Sequence, residues 1–179
     1  MENLDKQIKN YLNLGVHKYL DLSEQEYINS FPTTVIQPVE YKGIFDYPVL
    51  VETRIAAKDQ LTLAKISDHI NVENVKPQVN ENKYPYVFWT HDLVRNKGCT
   101  ISETLSKCLD FEIGCNIIEV VSYAIQYPDV CRGKAIDSPI TIFRDDYFAS
   151  LIVLHDKTEL AAHWVNDRTE GFYSLTRGK

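Results

Sequence analysis

The chain has 179 residues and a formal net charge of −6, from 19 basic and 25 acidic residues. Its composition, 44% hydrophobic and 25% charged, is that of an ordinary globular domain and is untypical of a disordered chain. The charges are interspersed and no block of Lys and Arg occurs, so we expect no nucleic-acid partner.

The N-terminal segment and the short apolar runs argue against export and against membrane insertion. Residues 1–6 are polar and acidic, without the basic and apolar regions of a secretory signal. No run of about 18 uncharged apolar residues occurs. The four cysteines form no C-x-x-C pair, so we expect reduced and mostly buried thiols rather than disulfides or a zinc site. These features predict a cytoplasmic protein with no membrane partner.

Helical signals come first along the chain, over about residues 3–31. Apolar residues recur at helical spacing, and Gly15 is placed to end this first helix. They are Leu4, Ile8, Tyr11, Leu12 and Val16. Ser23 and Glu26 form a capping box for a second helix, which Pro32 stops. Residues 33–46 carry no pattern that assigns their secondary structure.

A mixed region of strands and loops is predicted over about residues 47–98. Residues 48–55 are rich in β-branched side chains and read as a strand. The stretch 58–80 is ambiguous between a short helix and a strand at its start, and residues 71–83 read as a loop. Residues 84–90 are the most strand-prone segment of the chain and precede a turn over 95–98.

Two helices are predicted over about residues 100–131. Residues 100–103, Thr-Ile-Ser-Glu, form a capping box, and Gly114 is placed as the end of that helix. Asn116 caps the second helix, with a Glu three residues later, and Pro128 closes it.

Strand signals occupy the C-terminal region, over about residues 140–175. The candidates are residues 140–143, 149–154, 159–165 and 172–175, and the second and third of these form a hairpin. Helices and strands occur in blocks and do not alternate. The sequence therefore predicts a single α+β domain over residues 1–179, a largely antiparallel sheet packed with about four helices.

Histidine–aspartate pairs are the first candidates for chemistry. Such a pair could bind a hard cation, and three imidazoles from neighbouring strands could hold a zinc ion with an open position. The candidate metal ligands are His91, Asp92, His155 and His163. The alternative is that each Asp orients a turn and each His is a half-exposed residue at a strand end. In that alternative His163 points to solvent while Trp164 packs inward.

A thiol is the other candidate. Cys99 directly precedes a predicted helix, whose dipole would lower the pKa of its thiol, and His91 lies eight residues earlier as a base. The alternative is a small residue in a turn. The chain has no G-x-S-x-G and no glycine-rich phosphate loop, so we expect no cofactor.

Aromatic residues make up 11% of the chain. Tyr84, Tyr86, Phe88 and Trp89 cluster on the most strand-prone segment. About half of the aromatic side chains are expected in the core, since aromatic residues are common there. The others are candidates for a partner surface or for a dimer contact through an exposed strand edge.

Short motifs spread over most of the chain are similar to those of a bacterial family of conserved hypothetical proteins, a domain of unknown function. They are Gly15–Ser23, Tyr47–Val51, Tyr84–Trp89, Thr100–Glu103, Tyr127-Pro128, Asp137-Ser138-Pro139, Ala149–Leu151 and Leu160–Trp164. The family pattern has Gly-Ser-Arg where this chain has Pro139-Ile140-Thr141. The resemblance implies one compact domain, and it assigns neither an activity nor a catalytic residue.

Two functional hypotheses follow. The first is a non-enzymatic binding or interaction protein, whose partner is a protein or a small-molecule ligand, with a homodimer as an alternative. The second is a metal-assisted or thiol-dependent hydrolase that would use the histidines and the thiol named above.

Overall fold

The computed structural model describes residues 2–32, 34–76 and 84–179, with no side-chain description for residues 2 and 3. Its α-helices are α1 (Glu2–Asn13), α2 (Val16–Tyr19), α3 (Glu24–Asn29), α4 (Ala57–Leu63), α5 (Ile101–Ser106), α6 (Ile117–Gln126) and α7 (Pro128–Cys131). Short 3-10 helices cover Val39–Tyr41, Val72–Asn74 and Val94–Asn96. Most of the predicted 71–83 loop lies outside the described residues.

The strands are β1 (Tyr47–Val51), β2 (Ile66–Asp68), β3 (Tyr86–Thr90), β4 (Glu112–Gly114), β5 (Lys134–Arg144), β6 (Tyr147–Val153), β7 (Thr158–Trp164), β8 (Phe172–Ser174) and β9 (Thr176–Gly178). They form a four-stranded sheet, in the order β1-β3-β9-β4, and a five-stranded sheet, in the order β2-β7-β6-β5-β8. Only the β2–β7 and β5–β8 pairs of the described strands are parallel. The prediction of a largely antiparallel α+β fold is confirmed, although the strands divide between two sheets and α2, α4 and α7 add three short helices to the expected four.

Helix starts follow the local sequence closely. The capping boxes at Ser23, Thr100 and Asn116 are each closed in both directions, because the cap side chain accepts from the N3 amide and the N3 Glu accepts from the cap amide. Gly15 has a φ of +81° just after α1, as a helix end requires. Pro128 follows the end of α6 and opens α7, where the missing amide of proline costs nothing.

The prediction that Gly114 ends the Thr100 helix is wrong. That helix, α5, ends at Ser106, and Gly114 lies in β4. A Cβ at Gly114 would lie 2.9 Å from both Pro139 Cβ and Ile140 Cγ2. The glycine is therefore placed by close packing against β5 and not by helix termination.

The C-terminal strands differ in extent from the prediction. The β6–β7 hairpin is confirmed, but β5 begins at Lys134 and passes through Pro139. The register between β5 and β6 shifts between Asp137 and Ile142, so the proline lies in an irregular part of the strand where a ladder hydrogen bond is not needed. The last predicted strand, residues 172–175, corresponds to β8, whereas β9, which joins the other sheet, was not predicted.

Two hydrophobic clusters meet around α6, of which eight of ten residues are buried. The larger cluster packs α6 between the two sheets, and the smaller one packs α1 and α3 against Leu50 of β1. Ile125 of α6 contacts both clusters, so they form one core. None of the helices in the described part of the chain is long and apolar enough to cross a membrane.

Candidate functional site

Strand β3 lies inside the four-stranded sheet, but one of its two edges is mostly unpaired. On one side it pairs with β1 along its whole length, from Val51↔Tyr86 to Tyr47↔Thr90. On the other side the register with β9 contains a single pair, Thr90↔Arg177. A cleft of about 450 Å³ lies at this edge, lined by the segment 35–41, by β3 and by residues 177–179.

The rim of this cleft combines exposed apolar side chains with the charged residues Arg177 and Lys179. Ile36, which lines it, is 82% exposed, while Tyr84 and Val39, which flank its lining segments in sequence, are 81% and 78% exposed. These are the three most exposed large hydrophobic side chains among the described residues. Such a concentration of exposed apolar surface marks an interaction site more often than a solvated face.

The end of β9 is fixed by an aromatic ring, which keeps the cleft open. Tyr41 lies against Gly178, where a Cβ would come within 2.2 Å of Tyr41 Cζ. The Tyr41 hydroxyl donates to the carbonyl of Lys179 at 2.5 Å, and its ring stacks on Phe111 at 6.1 Å between centroids. Residues 178 and 179 are thereby held against Tyr41.

Beneath the cleft, three polar side chains from separate elements meet. Glu119 of α6 is fully buried and accepts hydrogen bonds from the Tyr86 hydroxyl at 2.9 Å and from the Asn116 amide at 2.8 Å. Arg177 Nε lies 2.7 Å from Glu119 Oε1, an ion pair too bent to count as a hydrogen bond. Burial raises the pKa of Glu119, although the charge of Arg177 acts to lower it. Burial also raises the pKa of Tyr86. Tyr86 therefore stays a protonated donor, which fixes its ring on the cleft wall.

A second buried network holds β9 from its other face. Thr176 Oγ1 donates to Glu112 Oε1 at 2.5 Å, and Arg95 binds Glu112 through two nitrogens at 2.8 and 3.2 Å. Burial raises the pKa of Glu112, but the hydrogen bonds from Arg95 and Thr176 outweigh it and leave that pKa below its usual value. Glu112 is thus an anchored carboxylate that ties β4, β9 and the 94–96 turn together.

His91, the shared candidate of both enzyme hypotheses, belongs to this network. Its Nδ1 accepts from the Leu93 amide at 3.1 Å, and its Nε2 lies 3.0 Å from Thr176 Oγ1 and 3.3 Å from the Thr176 amide. Burial lowers the pKa of His91 to about 4, so the ring is neutral at pH 7. Asp92 is turned to the surface, where it accepts from the Val94 amide at 3.0 Å.

The other two metal candidates lie on the second sheet. His155 is exposed in the β6–β7 turn. His163 Nδ1 lies 3.1 Å from Asp137 Oδ1, and its ring meets the Phe172 ring edge to face at 4.1 Å. The alternative to a metal site predicts that His163 faces solvent while Trp164 packs inward. This prediction is wrong, because His163 is half-buried and Trp164 is 47% exposed.

No three His, Cys, Asp or Glu side chains within residues 2–32, 34–76 and 84–179 are grouped so that they could hold a metal ion. The Asp137–His163 pair has no signal in the sequence, because its members are 26 residues apart and meet only through the strand register. Asp137 is opposite Ser150, and Phe148, two residues before Ser150, is opposite His163.

The cysteines are free thiols. Cys99 Sγ lies 3.7 Å from Lys107 Nζ rather than beside His91. Cys115 and Cys131 are buried, and burial raises the pKa of Cys115 well above its usual value and that of Cys131 to about 12. These two thiols therefore stay protonated and act as small apolar core residues.

Comparison with protein-family models, curated proteins and solved structures finds no match to this chain. The resemblance to a bacterial family of conserved proteins therefore stays an expectation. The functional proposal therefore depends on the geometry of this chain.

Proposed function

We propose that this protein is a non-enzymatic binding protein that holds an extended segment of a partner polypeptide along the open edge of β3. The observation that carries the proposal is the single pair, Thr90↔Arg177, by which β9 meets β3. In that register Gly178 lies beside Trp89, and the rest of the strand, Tyr86–Phe88, faces a cleft of about 450 Å³ instead of a neighbouring strand.

The backbone at such an edge favours one kind of occupant. Amide and carbonyl groups on the open side of a strand need hydrogen-bond partners, and an added strand supplies them in register. Three open residues span roughly 10 Å at about 3.3 Å per residue, which matches a segment of three or four residues. Side chains of such a segment alternate between the two faces of the sheet, so every second one would meet the apolar side chains of the rim.

The rim sets the chemistry of those side chains. Ile36, Val39 and Tyr84 offer apolar surface, and covering one such side chain contributes roughly 1.5–3 kcal/mol. The preferred segment is therefore apolar at alternate positions. The net charge of −6 does not favour a nucleic-acid partner.

A second copy of this chain is a poorer occupant than a separate segment. Antiparallel pairing of Tyr86–Phe88 with the same three residues of another copy would bring Pro85 opposite Trp89 of that copy. Gly178 already lies beside Trp89 on that edge in every copy. A strand without a neighbour of its own has no such conflict.

The reduced state of the thiols supports a cytoplasmic location as part of the same proposal. Cys115 and Cys131 are buried free thiols, which is usual for proteins of a reducing compartment.

The alternative, a metal-assisted or thiol-dependent hydrolase, has less support. His91 is a buried neutral ring engaged with Thr176, and Cys99 has Lys107 rather than His91 as its neighbour. His163 is paired with Asp137 on the other sheet.

The test is selection of binders from a random twelve-residue peptide library, followed by fluorescence polarisation with the selected peptides. Ile36→Asp should weaken them about ten-fold, because a charge replaces apolar contact on the rim. The matched control is Ile28→Asp, on the exposed face of α3, which should leave affinity within about two-fold. Bound peptide should also slow hydrogen exchange of amides in Tyr86–Trp89.

The proposal would be contradicted if neither Ile36→Asp nor Ile28→Asp changed the affinity of the peptides. It would also be contradicted if bound peptide protected amides outside Tyr86–Trp89. A concentration-dependent dimer whose formation Ile36→Asp abolishes would instead assign the edge to a second copy.

A further inference from the structure

A separate cavity of about 330 Å³ lies between α1, α6 and the five-stranded sheet. Its walls include Asn10 of α1, Ala124 and Ile125 of α6, Ile66 of β2 and Val153 of β6. It shares no lining residue with the cleft beside β3. We propose that this cavity, which is open to solvent on one side, is a binding site for a small uncharged molecule with an apolar ring-sized body and one hydrogen-bonding group such as a hydroxyl.

The lining selects against charge, because none of the described residues that form it carries an ionisable side chain. A charged ligand would lose its hydration there without gaining a counter-charge. The polar groups of the lining are the amides of Asn10 and Asn13 and the hydroxyl of Thr158. An uncharged molecule that is mostly apolar matches this set.

Asn10 is the oriented polar group of the lining. Its Nδ2 donates to Gln126 Oε1 at 2.9 Å, which orients the amide. This bond uses one N–H and leaves the second N–H to donate and the Oδ1 to accept. A hydroxyl, which both donates and accepts, matches such an amide.

The size and position of the cavity fix the body of the ligand. An engineered apolar cavity of about 150 Å³ holds benzene, so about 330 Å³ accommodates a ring with a short arm or a fused pair of rings. The cavity lies where the two hydrophobic clusters meet at Ile125, and the small side chains of Ala64 and Ala124 leave the space unfilled.

Methyl NMR with three matched probes tests the proposal. Toluene and benzyl alcohol should give saturable shifts of the Ala124, Ile125 and Ile66 methyl signals. Benzoate, which adds a charge to the same ring, should bind at least about ten-fold more weakly. Asn10→Ala should weaken benzyl alcohol roughly five-fold and leave toluene unchanged, because only the alcohol uses the amide. Asn29→Ala, on α3, is the matched control and should change neither affinity.

Filling the cavity should remove binding. Ala124→Phe is expected to abolish the shifts from both neutral probes, and Ala64→Phe, which fills it from another wall, replaces it if the first variant does not fold. Folding is checked by the thermal transition of each ligand-free variant. Failure of both neutral probes to saturate, equal affinity for benzoate, or unchanged binding by a folded filled variant would overturn the proposal.

Discussion

Three buried ionisable side chains, those of His91, Glu112 and Cys131, are each held in one protonation state by their surroundings. His91 is kept neutral by burial, with its pKa lowered to about 4, while Arg95 and Thr176 keep Glu112 ionised. Burial keeps Cys131 protonated, with its pKa raised to about 12. At neutral pH none of these groups is poised to exchange a proton, so their role is to position β9 and the core around it.

The neutral state of His91 predicts a loss of stability in mild acid. Burial lowers its pKa from 6.5 to about 4 on folding, so between these values the unfolded chain binds the proton and the folded chain does not. The contribution is complete above pH 6.5 and is lost as the pH falls towards 4, by about 3 kcal/mol in total. Urea unfolding at pH 7, 6, 5 and 4 measures it.

The control is His91→Gln, which retains a hydrogen-bonding side chain and cannot titrate. Carboxylates titrate in both proteins, so the wild type should lose about 3 kcal/mol more than the variant across this window. Parallel losses in the two proteins would show that His91 is not kept neutral by the fold.

At the scale of helices and strands, the sequence predicted what is decided locally. The boxes at Ser23, Thr100 and Asn116 depend on residues three apart, and the β6–β7 hairpin joins neighbouring segments. Strands β4 and β9 have three residues each and pair through Ile113↔Arg177, which the period of so short a segment cannot indicate.

The candidate site was likewise predicted only where it depends on local sequence. The sequence predicts the aromatic segment that includes Tyr86, Phe88 and Trp89 as a strand, and it offers a partner surface or an exposed strand edge only for about half of all the aromatic side chains. Where that edge is open depends on β9, and therefore on contacts between Tyr41 and residues 178 and 179 that are remote in sequence. The Asp137–His163 pair was missed for the same reason.

The placement of β9 can be tested at Gly178. A methyl group there would lie 2.2 Å from Tyr41 Cζ, so Gly178→Ala should destabilise the fold by about 1–3 kcal/mol through overpacking. Urea unfolding measures the change. In the double variant with Tyr41→Leu the clash is relieved. The losses of stability in the two single variants should therefore sum to at least about 1 kcal/mol more than the loss in the double variant. Strict additivity would mean that the ring and the glycine are not in contact.

The whole molecule is held together where the N-terminal helices meet the sheets. Gln7 of α1 donates to the Pro48 carbonyl at 2.6 Å and accepts from the Leu50 amide at 2.6 Å. The Tyr11 hydroxyl contacts the Leu50 carbonyl and Ser122 Oγ, each at 3.1 Å, and so joins α1, β1 and α6. These buried polar contacts are satisfied only when all three elements are in place, which couples the smaller hydrophobic cluster to the larger one.

Because of this coupling, we expect helices and sheets to unfold together. Far-UV circular dichroism reports the helices, and fluorescence of Trp89 in β3 and Trp164 in β7 reports the two sheets. The two urea transitions should coincide, as in a two-state domain. Gln7→Leu leaves the Leu50 amide of β1 without its side-chain partner, while the Pro48 carbonyl keeps the Tyr127 hydroxyl, and it should shift both transitions together by about 2 kcal/mol. Gln25→Leu, at an exposed position of α3, should change stability by less than about 0.5 kcal/mol. If Gln7→Leu lost helix signal at a lower urea concentration than the tryptophan signal, the N-terminal helices would be a separate unit, and the single core would be refuted.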